Sequence, residues 1–283
     1  MGTVLVTGCS SGFGLSSAVT LASRGWEVFA TMRNLEKRER LDKAGVDAGV
    51  PAIHLHVLPL DVTDSGSIDG AVREVLRATN DSLDAVVHNA GVSAGGAFED
   101  LPDDEVRRIM ETNFFGVLAL TRAVLPAMRA RRRGRVVVVS SNSAFSGAPG
   151  VSAYHASKWA IEGWAESVAY EVEPFGIRIV LVEPGSYRTD IWDSSPRVIP
   201  DASAYREMAR IIEPMIERRV IARARDPQEV ADTIVRALEA SRPRLRYPVG
   251  PDAKVGFAIR GVVPFRAQKA VVTRVLGMQR WRP

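Results

Sequence analysis

The chain has one cysteine, Cys9, among its 283 residues, so an internal disulfide cannot form. That excludes a small disulfide-stapled scaffold and suits a reducing compartment. No run of 18 apolar residues occurs, so no membrane-crossing helix is expected. The segment Met1 to Gly8 lacks the basic n-region and small-residue cleavage site of a secretory signal, and reads as a first strand. The expected location is therefore cytoplasmic. Histidines number only four, and His54 and His56 have no further ligands nearby in sequence, so no metal is expected. Repeats, low-complexity tracts and linkers are missing too, and residues 1–283 read as a single domain.

What is present is ordinary globular material, 46% hydrophobic and 25% charged. The charge is uneven. Residues 242–283 hold ten Lys or Arg against one acid, Asp252, whereas the rest holds 27 basic and 32 acidic side chains. An arginine cluster at Arg129, Arg131, Arg132, Arg133 and Arg135 has no interleaved aromatics for base stacking. It reads as a solvated helix end, and no nucleic acid is expected.

Apolar runs at Val4–Val6, Trp26–Thr31, Ile53–Val57, Asp84–His88, Arg135–Ser140 and Arg178–Val182 alternate with helix-length amphipathic stretches. Continuous Val/Ile/Leu runs indicate strands buried on both faces, hence a parallel sheet. The pattern predicts an α/β fold, a Rossmann-type doubly wound parallel sheet of about seven strands with helices on both faces. His54 and His56 would share a face of the third strand. The alternation fails over residues 190–225, a candidate substrate lid. A basic extension covers about residues 249–283, where Gly261 and Pro264 break any long helix. It could cover the site, pack on a partner subunit or lie on anionic lipid, with packing the favoured reading.

Between the first strand and first helix stands Thr7-Gly8-Cys9-Ser10-Ser11-Gly12-Phe13-Gly14. Glycines allow a tight turn and close approach of a diphosphate, which backbone N–H groups and a helix N-terminus favour. The spacing is neither G-x-G-x-x-G nor a P-loop, and a plain glycine-rich turn is the bland alternative. Cys9 reads as a small packing residue.

Tyr154-His155-Ala156-Ser157-Lys158 begins a helical pattern that runs to about Glu173. Positions i and i+4 share a face, so the phenol and ammonium lie on one side, while His155 does not face Tyr154. A positive charge about 4 Å away is worth roughly 4 kcal/mol at an effective dielectric of 20, enough to draw a phenol toward neutral pH. Ser141, thirteen residues before Tyr154, sits at the carboxyl end of a central strand, where open α/β sheets bind ligands.

With these motifs in this order, the chain resembles the short-chain dehydrogenase/reductase family from Thr3 to about Pro248. Asn89-Ala90-Gly91 matches the family's N-A-G, with His88 before it, and Pro184-Gly185 with Thr189 matches P-G-x-x-x-T. The resemblance implies a catalytic set of Asn113, Ser141, Tyr154 and Lys158. It implies a nicotinamide cofactor held by Thr7, Gly8, Ser10, Ser11, Gly12, Phe13, Gly14, Arg33, Asp61, Val62, Asn89, Ala90, Gly91, Tyr154, Lys158, Pro184, Gly185 and Thr189. Lys158 would depress the Tyr154 pKa, and Asn113 would hold a water that links Lys158 to solvent.

Met32 stands where the family's NAD-preferring members usually carry Asp, and Arg33 follows it. A guanidinium fork can pair a 2′-phosphate, so NADP(H) is favoured over NAD(H). A solvated loop arginine is the alternative. The expected substrate wall includes Ser93, Phe98, Asn142, Phe145, Tyr187 and Trp192, apolar with few charged anchors. The strand-two text and the tail resemble the branch containing 17β-hydroxysteroid and retinol dehydrogenases. A small lipophilic carbonyl or alcohol substrate and a homodimer or homotetramer are therefore expected. The rival reading is a cofactor-binding regulatory or scaffold protein with little turnover, which would not need Tyr154 and Lys158 together. A sugar-nucleotide epimerase would usually show G-x-x-G-x-x-G spacing, which this chain lacks.

Overall fold

The computed structural model describes residues 2–219 and 221–282. Met1, Val220 and Pro283, at the edge of the first-strand reading, in the expected lid and at the tail, lie outside the described residues. The chain alternates β1 (Thr3–Val6), α1 (Gly12–Ser23), β2 (Glu27–Met32), α2 (Glu39–Asp47), β3 (Leu55–Pro59), α3 (Ser65–Thr79) and β4 (Ala85–His88). Then come α4 (Asp103–Met110) and α5 (Gly116–Ala130), β5 (Gly134–Val139), α6 (Ser152–Val172) and β6 (Ile177–Pro184). The remainder is α7 (Ile191–Ser194), α8 (Arg206–Arg219), α9 (Gln228–Glu239), β7 (Arg246–Val249), α10 (Pro251–Ile259) and α11 (Phe265–Val275).

Among the described residues the seven strands form one parallel sheet, ordered β3-β2-β1-β4-β5-β6-β7. Side chains alternate between two cores, as period-two geometry requires. Val4, Val6, Val87, Val137 and Val180 enter the core beneath α1 and α9, while Leu5, Val86, Val136, Val138 and Leu181 enter the one beneath α3, α5 and α6. Burial on both faces is why these strands read as unbroken apolar runs. The strand order reverses between β1 and β4, which opens a crevice at the carboxyl ends of the strands. β7 pairs only with β6, and this edge position tolerates Pro248.

The structure shifts several expected boundaries. The third strand starts at Leu55, because Pro51 leads a 3₁₀ turn over Ala52–His54. His54 therefore does not share the strand with His56, whose ring instead stacks on Phe29 at 4.7 Å. The tyrosine-bearing helix begins at Ser152 and ends at Val172. Within the expected lid, α7 and α8 form, and Gly95 and Val198 exchange backbone bonds with the neighbouring loop (Gly95 N to the Pro196 carbonyl, 2.8 Å; Val198 N to the Gly95 carbonyl, 2.7 Å). Gly261 and Pro264 do separate two helices, α10 and α11. No helix among the described residues is long and apolar enough to cross a membrane.

Candidate active site

The glycine turn is built around close contacts. Gly8 and Gly12 adopt φ of +72° and +55°, values L side chains rarely take. A Cβ on Gly14 would stand 2.2 Å from the Gly8 carbonyl oxygen, so no side chain fits there. A Cβ on Gly12 would lie 3.4 Å from Thr189, so the turn after β1 and the segment after β6 meet here. The start of α1 has no side-chain cap on Ser11 and no acid in its first turn, which leaves N–H donors for an anion. Phe13 packs its ring edge-on to Tyr187, centroids 5.7 Å apart.

Thr7 and Asn89 brace this turn. Thr7 Oγ1 accepts from the backbone N–H groups of Asn89 (2.9 Å) and Ala90 (3.0 Å). Asn89 Nδ2 donates to the carbonyls of Thr7 (2.9 Å) and Gly8 (3.1 Å). Their side chains thus tie the ends of β1 and β4 together. His88 is buried, bonded to Thr121 Oγ1 at 2.9 Å, and burial pushes its pKa down to about 3, so it is neutral. Burial pushes the Cys9 thiol up to about 12, in keeping with a packing residue.

At the adenosine side, Met32 is buried and closes β2, while Arg33 is exposed and makes no ion pair among the described residues. Asp61 Oδ1 accepts from Thr63 N (2.9 Å) and Thr63 Oγ1 (2.7 Å), and Val62 packs where a Cβ on Gly116 would clash with its carbonyl at 2.7 Å.

The four expected catalytic residues converge. α4 and α5 are joined by a π-helical turn, Glu111–Phe115, a local underwinding common at functional sites. It carries buried Asn113, whose Oδ1 accepts from Val92 N (2.8 Å) and whose Nδ2 donates to the Val92 carbonyl (2.9 Å) and Ser157 Oγ (3.0 Å). A Cβ on Gly91 would stand 3.5 Å from Asn113 Oδ1 and 3.9 Å from Lys158 Nζ, which places both beside the N-A-G turn. The Asn113 side chain is thus largely occupied, which leaves one lone pair on Oδ1 for a water. Ser141 Oγ accepts from Ser143 N at 3.0 Å, donates to Asn142 Oδ1 at 3.3 Å and lies within bonding reach of the Tyr154 phenol. His155 Nδ1 and Trp159 Nε1 both bond the Ser143 carbonyl (2.7 and 3.1 Å), so α6 also fixes the serine turn.

The electrostatics differ from expectation. Burial pushes the Tyr154 phenol above its ordinary value, against a lowering bond from Ser141. Lys158 Nζ stands 5.7 Å from the Tyr154 ring centroid and donates to the Val139 carbonyl at 2.9 Å. The loss of water around the phenol therefore outweighs the groups that favour its anion. Lys158 itself is pushed down to about 8 by burial, with Glu162 pulling it back up.

Sequence reading missed a charged cluster behind Lys158. Ser140 Oγ donates to Glu162 Oε1 at 2.6 Å. Arg246 of β7 pairs with Glu162 (2.6 Å), Glu166 (2.9 Å) and Glu183 (3.1 Å), and Arg260 lies 3.8 Å from Glu162. Glu183 is fully buried, and burial plus the Glu162 charge hold its carboxyl well above the usual carboxylate range. The only sequence signal was polar residues inside otherwise apolar strand and helix faces.

Of the expected substrate wall, Asn142, Phe145 and Trp192 lie around the serine turn and the start of the lid, and Ser93 follows the N-A-G turn. Tyr187 is buried in the sheet core and its hydroxyl donates to Glu229 at 2.8 Å. Trp192 Nε1 donates to the Tyr187 carbonyl at 2.9 Å. Phe98, in the loop before α4, is 75% exposed. The C-terminal segment closes this side, a role the sequence did not settle. A Cβ on Gly185 would overlap Asp252, whose Oδ2 accepts from Ser186 N (2.8 Å), Ser186 Oγ (3.0 Å) and Asn142 Nδ2 (3.3 Å). Among the described residues, no cluster of three or more His, Cys, Asp or Glu is placed to hold a metal.

A fold of this order, with a glycine turn at its switch point and a Ser–Tyr–Lys set at the carboxyl ends of its strands, defines a nicotinamide-dependent oxidoreductase class. Residues 2–198 match the short chain dehydrogenase family model, and the chain belongs to that family and is an NAD(P)-dependent dehydrogenase/reductase. It is 39% identical to the uncharacterized oxidoreductase YusZ of Bacillus subtilis, over 96% of this chain and 97% of that one. It is 38% identical to human 17-beta-hydroxysteroid dehydrogenase type 1 (86% and 76% covered) and 35% identical to 3-ketodihydrosphingosine reductase of Bacteroides thetaiotaomicron (90% and 90%). A short-chain dehydrogenase from Streptomyces avermitilis superposes with TM-score 0.79 at 33% identity, covering 100% of this chain and 98% of its own. An actinorhodin polyketide ketoreductase solved with NADPH superposes with TM-score 0.70 at 29% identity (90% and 92% covered).

Proposed function

We propose that this chain is an NADP(H)-dependent reductase of a small lipophilic carbonyl, with Tyr154 as proton donor to the carbonyl oxygen. The observation that carries this reading is the convergence of Ser141, Tyr154 and Lys158 at the end of β5 and the start of α6, beside the N-A-G turn. When bound, the nicotinamide supplies or accepts the hydride. The residues present fit such a group: the Gly8–Gly14 cradle excludes side chains, and α1 offers uncapped N–H donors.

Burial holds the Tyr154 phenol protonated, which suits an acid in the reducing direction. Ser141 hydrogen-bonds the same oxygen and stabilises the charge that develops there. Lys158 holds the phenolate as the proton leaves. Asn113 fixes Val92 and Ser157, and so the floor of the site, and its free lone pair can hold the water that resupplies Lys158. Arg33 would pair the 2′-phosphate of NADP(H), with Ser10 or Ser11 adding hydrogen bonds, while Asp61 and Val62 would flank the adenine. Pro184, Gly185 and Thr189 would hold the nicotinamide end.

The substrate class is supported by the buried Phe145 ring packed against Phe257, and by relatives whose names specify a hydroxysteroid, a ketosphingoid base and a polyketide. The chain works as one unit, with residues 190–225 as lid and the basic extension as back wall. A cytoplasmic homodimer or homotetramer is the expected form.

The test is oxidation of NADPH, followed by absorbance, with a 17-ketosteroid, 3-ketodihydrosphingosine and a bicyclic polyketide-like ketone as probes. Turnover of at least one, with NADPH preferred over NADH, is expected. Tight NADPH binding without oxidation by any of these would overturn the reductase reading in favour of a regulatory binder.

A further inference from the structure

The C-terminal helices leave an unusual surface. From Ala253 to Arg282 there are seven Lys or Arg and no Asp or Glu. Across the same stretch Val255, Ile259, Val262, Phe265, Val271 and Val275 are exposed, Val262 by 79% and Phe265 by 75%. With Phe257, they are seven of the fourteen exposed large hydrophobics among the described residues. The helices are not loose. Ala253 is fully buried, Phe257 packs edge-on to Phe145 with centroids 5.6 Å apart, and Leu276 joins Met208 and Ile212 of α8 in a small core. The inner face of the pair is therefore anchored, and the outer face presents apolar side chains amid cations.

We propose that this outer face of α10, α11 and their connecting turn docks on an anionic lipid bilayer. Contiguous exposed apolar area marks an interaction surface. A second copy of the chain would set this cationic face against its like, which costs energy at a two-fold interface. A bilayer with anionic headgroups meets both features at once: Val262 and Phe265 enter the acyl boundary, and Lys254, Arg266, Lys269 and Arg274 meet phosphates. The surface is also continuous with the site. Phe257 bridges from α10 to Phe145, which closes the turn that begins at Ser141. Docking would bring a lipid-dissolved carbonyl to the side of the site that Phe145 and Phe257 form. That last consequence rests on the reductase reading, whereas the docking itself rests on the surface.

Vesicle flotation of the full chain decides it, with phosphatidylcholine vesicles and with vesicles containing phosphatidylglycerol. The wild type is expected to float with the anionic vesicles and not with the neutral ones, and to be released by high salt. The Val262→Asp/Phe265→Asp double variant should lose flotation while keeping wild-type NADPH binding and wild-type melting, which shows that it folds. Failure of the wild type to float with anionic vesicles at low salt overturns the proposal. So does a double variant that floats like the wild type, or one that changes only the oligomer mass in sedimentation, which would assign the face to a second copy. No substrate is needed, so an inactive protein that floats leaves the docking intact, and an active one that does not float rejects it.

Discussion

Ser140 Oγ donates a 2.6 Å hydrogen bond to Glu162 Oε1, one residue ahead of Ser141 and one helical turn beyond Lys158. Lys158 Nζ anchors on the adjacent Val139 carbonyl. The end of β5 is thus held by an anion and a cation from the same face of α6. The groups that set this balance are Glu162 and Tyr154 on α6, Glu183 on β6, Arg246 on β7 and Arg260 after α10.

This arrangement predicts a pH response. Lys158 is protonated below about 8 and loses its proton above it, so reductive kcat/KM should fall as pH rises through that value. Glu162 favours the ammonium, so Glu162→Gln should move the fall to lower pH while Gln still accepts from Ser140. A pH–rate profile checks this. A variant with a lower plateau but the wild-type limb would show that Glu162 matters only for packing.

Glu183 gives a stability prediction. Its folded pKa is raised, so the folded state keeps a proton that the unfolded chain releases near the ordinary carboxylate value. Stability is then fully present below the unfolded value and is lost as pH rises toward the folded one. Glu183→Gln should flatten this decline: the variant melts like wild type at about pH 5 and a few degrees higher at about pH 9. Parallel melting curves across that range would contradict the assignment of a buried, protonated Glu183.

Gly14→Ala tests the cradle. The added methyl meets the Gly8 carbonyl at 2.2 Å, so the turn must open. NADPH affinity, read by fluorescence titration, should fall by at least about tenfold, since helix N–H donors act only when placed at the anion. Unchanged affinity would show that the diphosphate does not sit at this turn.

Arg33 tests cofactor choice. Charge-assisted hydrogen bonds contribute roughly 1.5–3 kcal/mol, so Arg33→Ala should weaken NADPH binding by about tenfold to a hundredfold. NADH binding should hardly change. Equal losses for both cofactors would make Arg33 a general support of the loop.

Much of this was legible in the chain itself. Val4–Val6 and Val136–Val139 announce buried parallel strands because both their faces are covered. The glycine turn and the Tyr154–Lys158 spacing are legible because backbone geometry fixes them locally. His54 was misplaced because Pro51 starts a 3₁₀ turn that periodicity does not register. Nothing in the chain position of Tyr187 hints that Glu229, 42 residues on, claims its hydroxyl. The Glu162–Glu183–Arg246 cluster joins three distant segments, and only the assembled sheet makes it visible. The π turn at Asn113 depends likewise on the packing of α4 and α5 against α6.

The central claim is that Tyr154 delivers the proton during carbonyl reduction, and deuteride transfer tests it most directly. NADPH deuterated at the reactive carbon would be offered with the carbonyl probe that wild type turns over, and the alcohol read by mass spectrometry. Wild type should form deuterated alcohol, whereas Tyr154→Phe should bind NADPH normally and form it roughly a hundredfold to ten-thousandfold more slowly. Deuterated alcohol appearing at the wild-type rate in Tyr154→Phe would contradict the assignment.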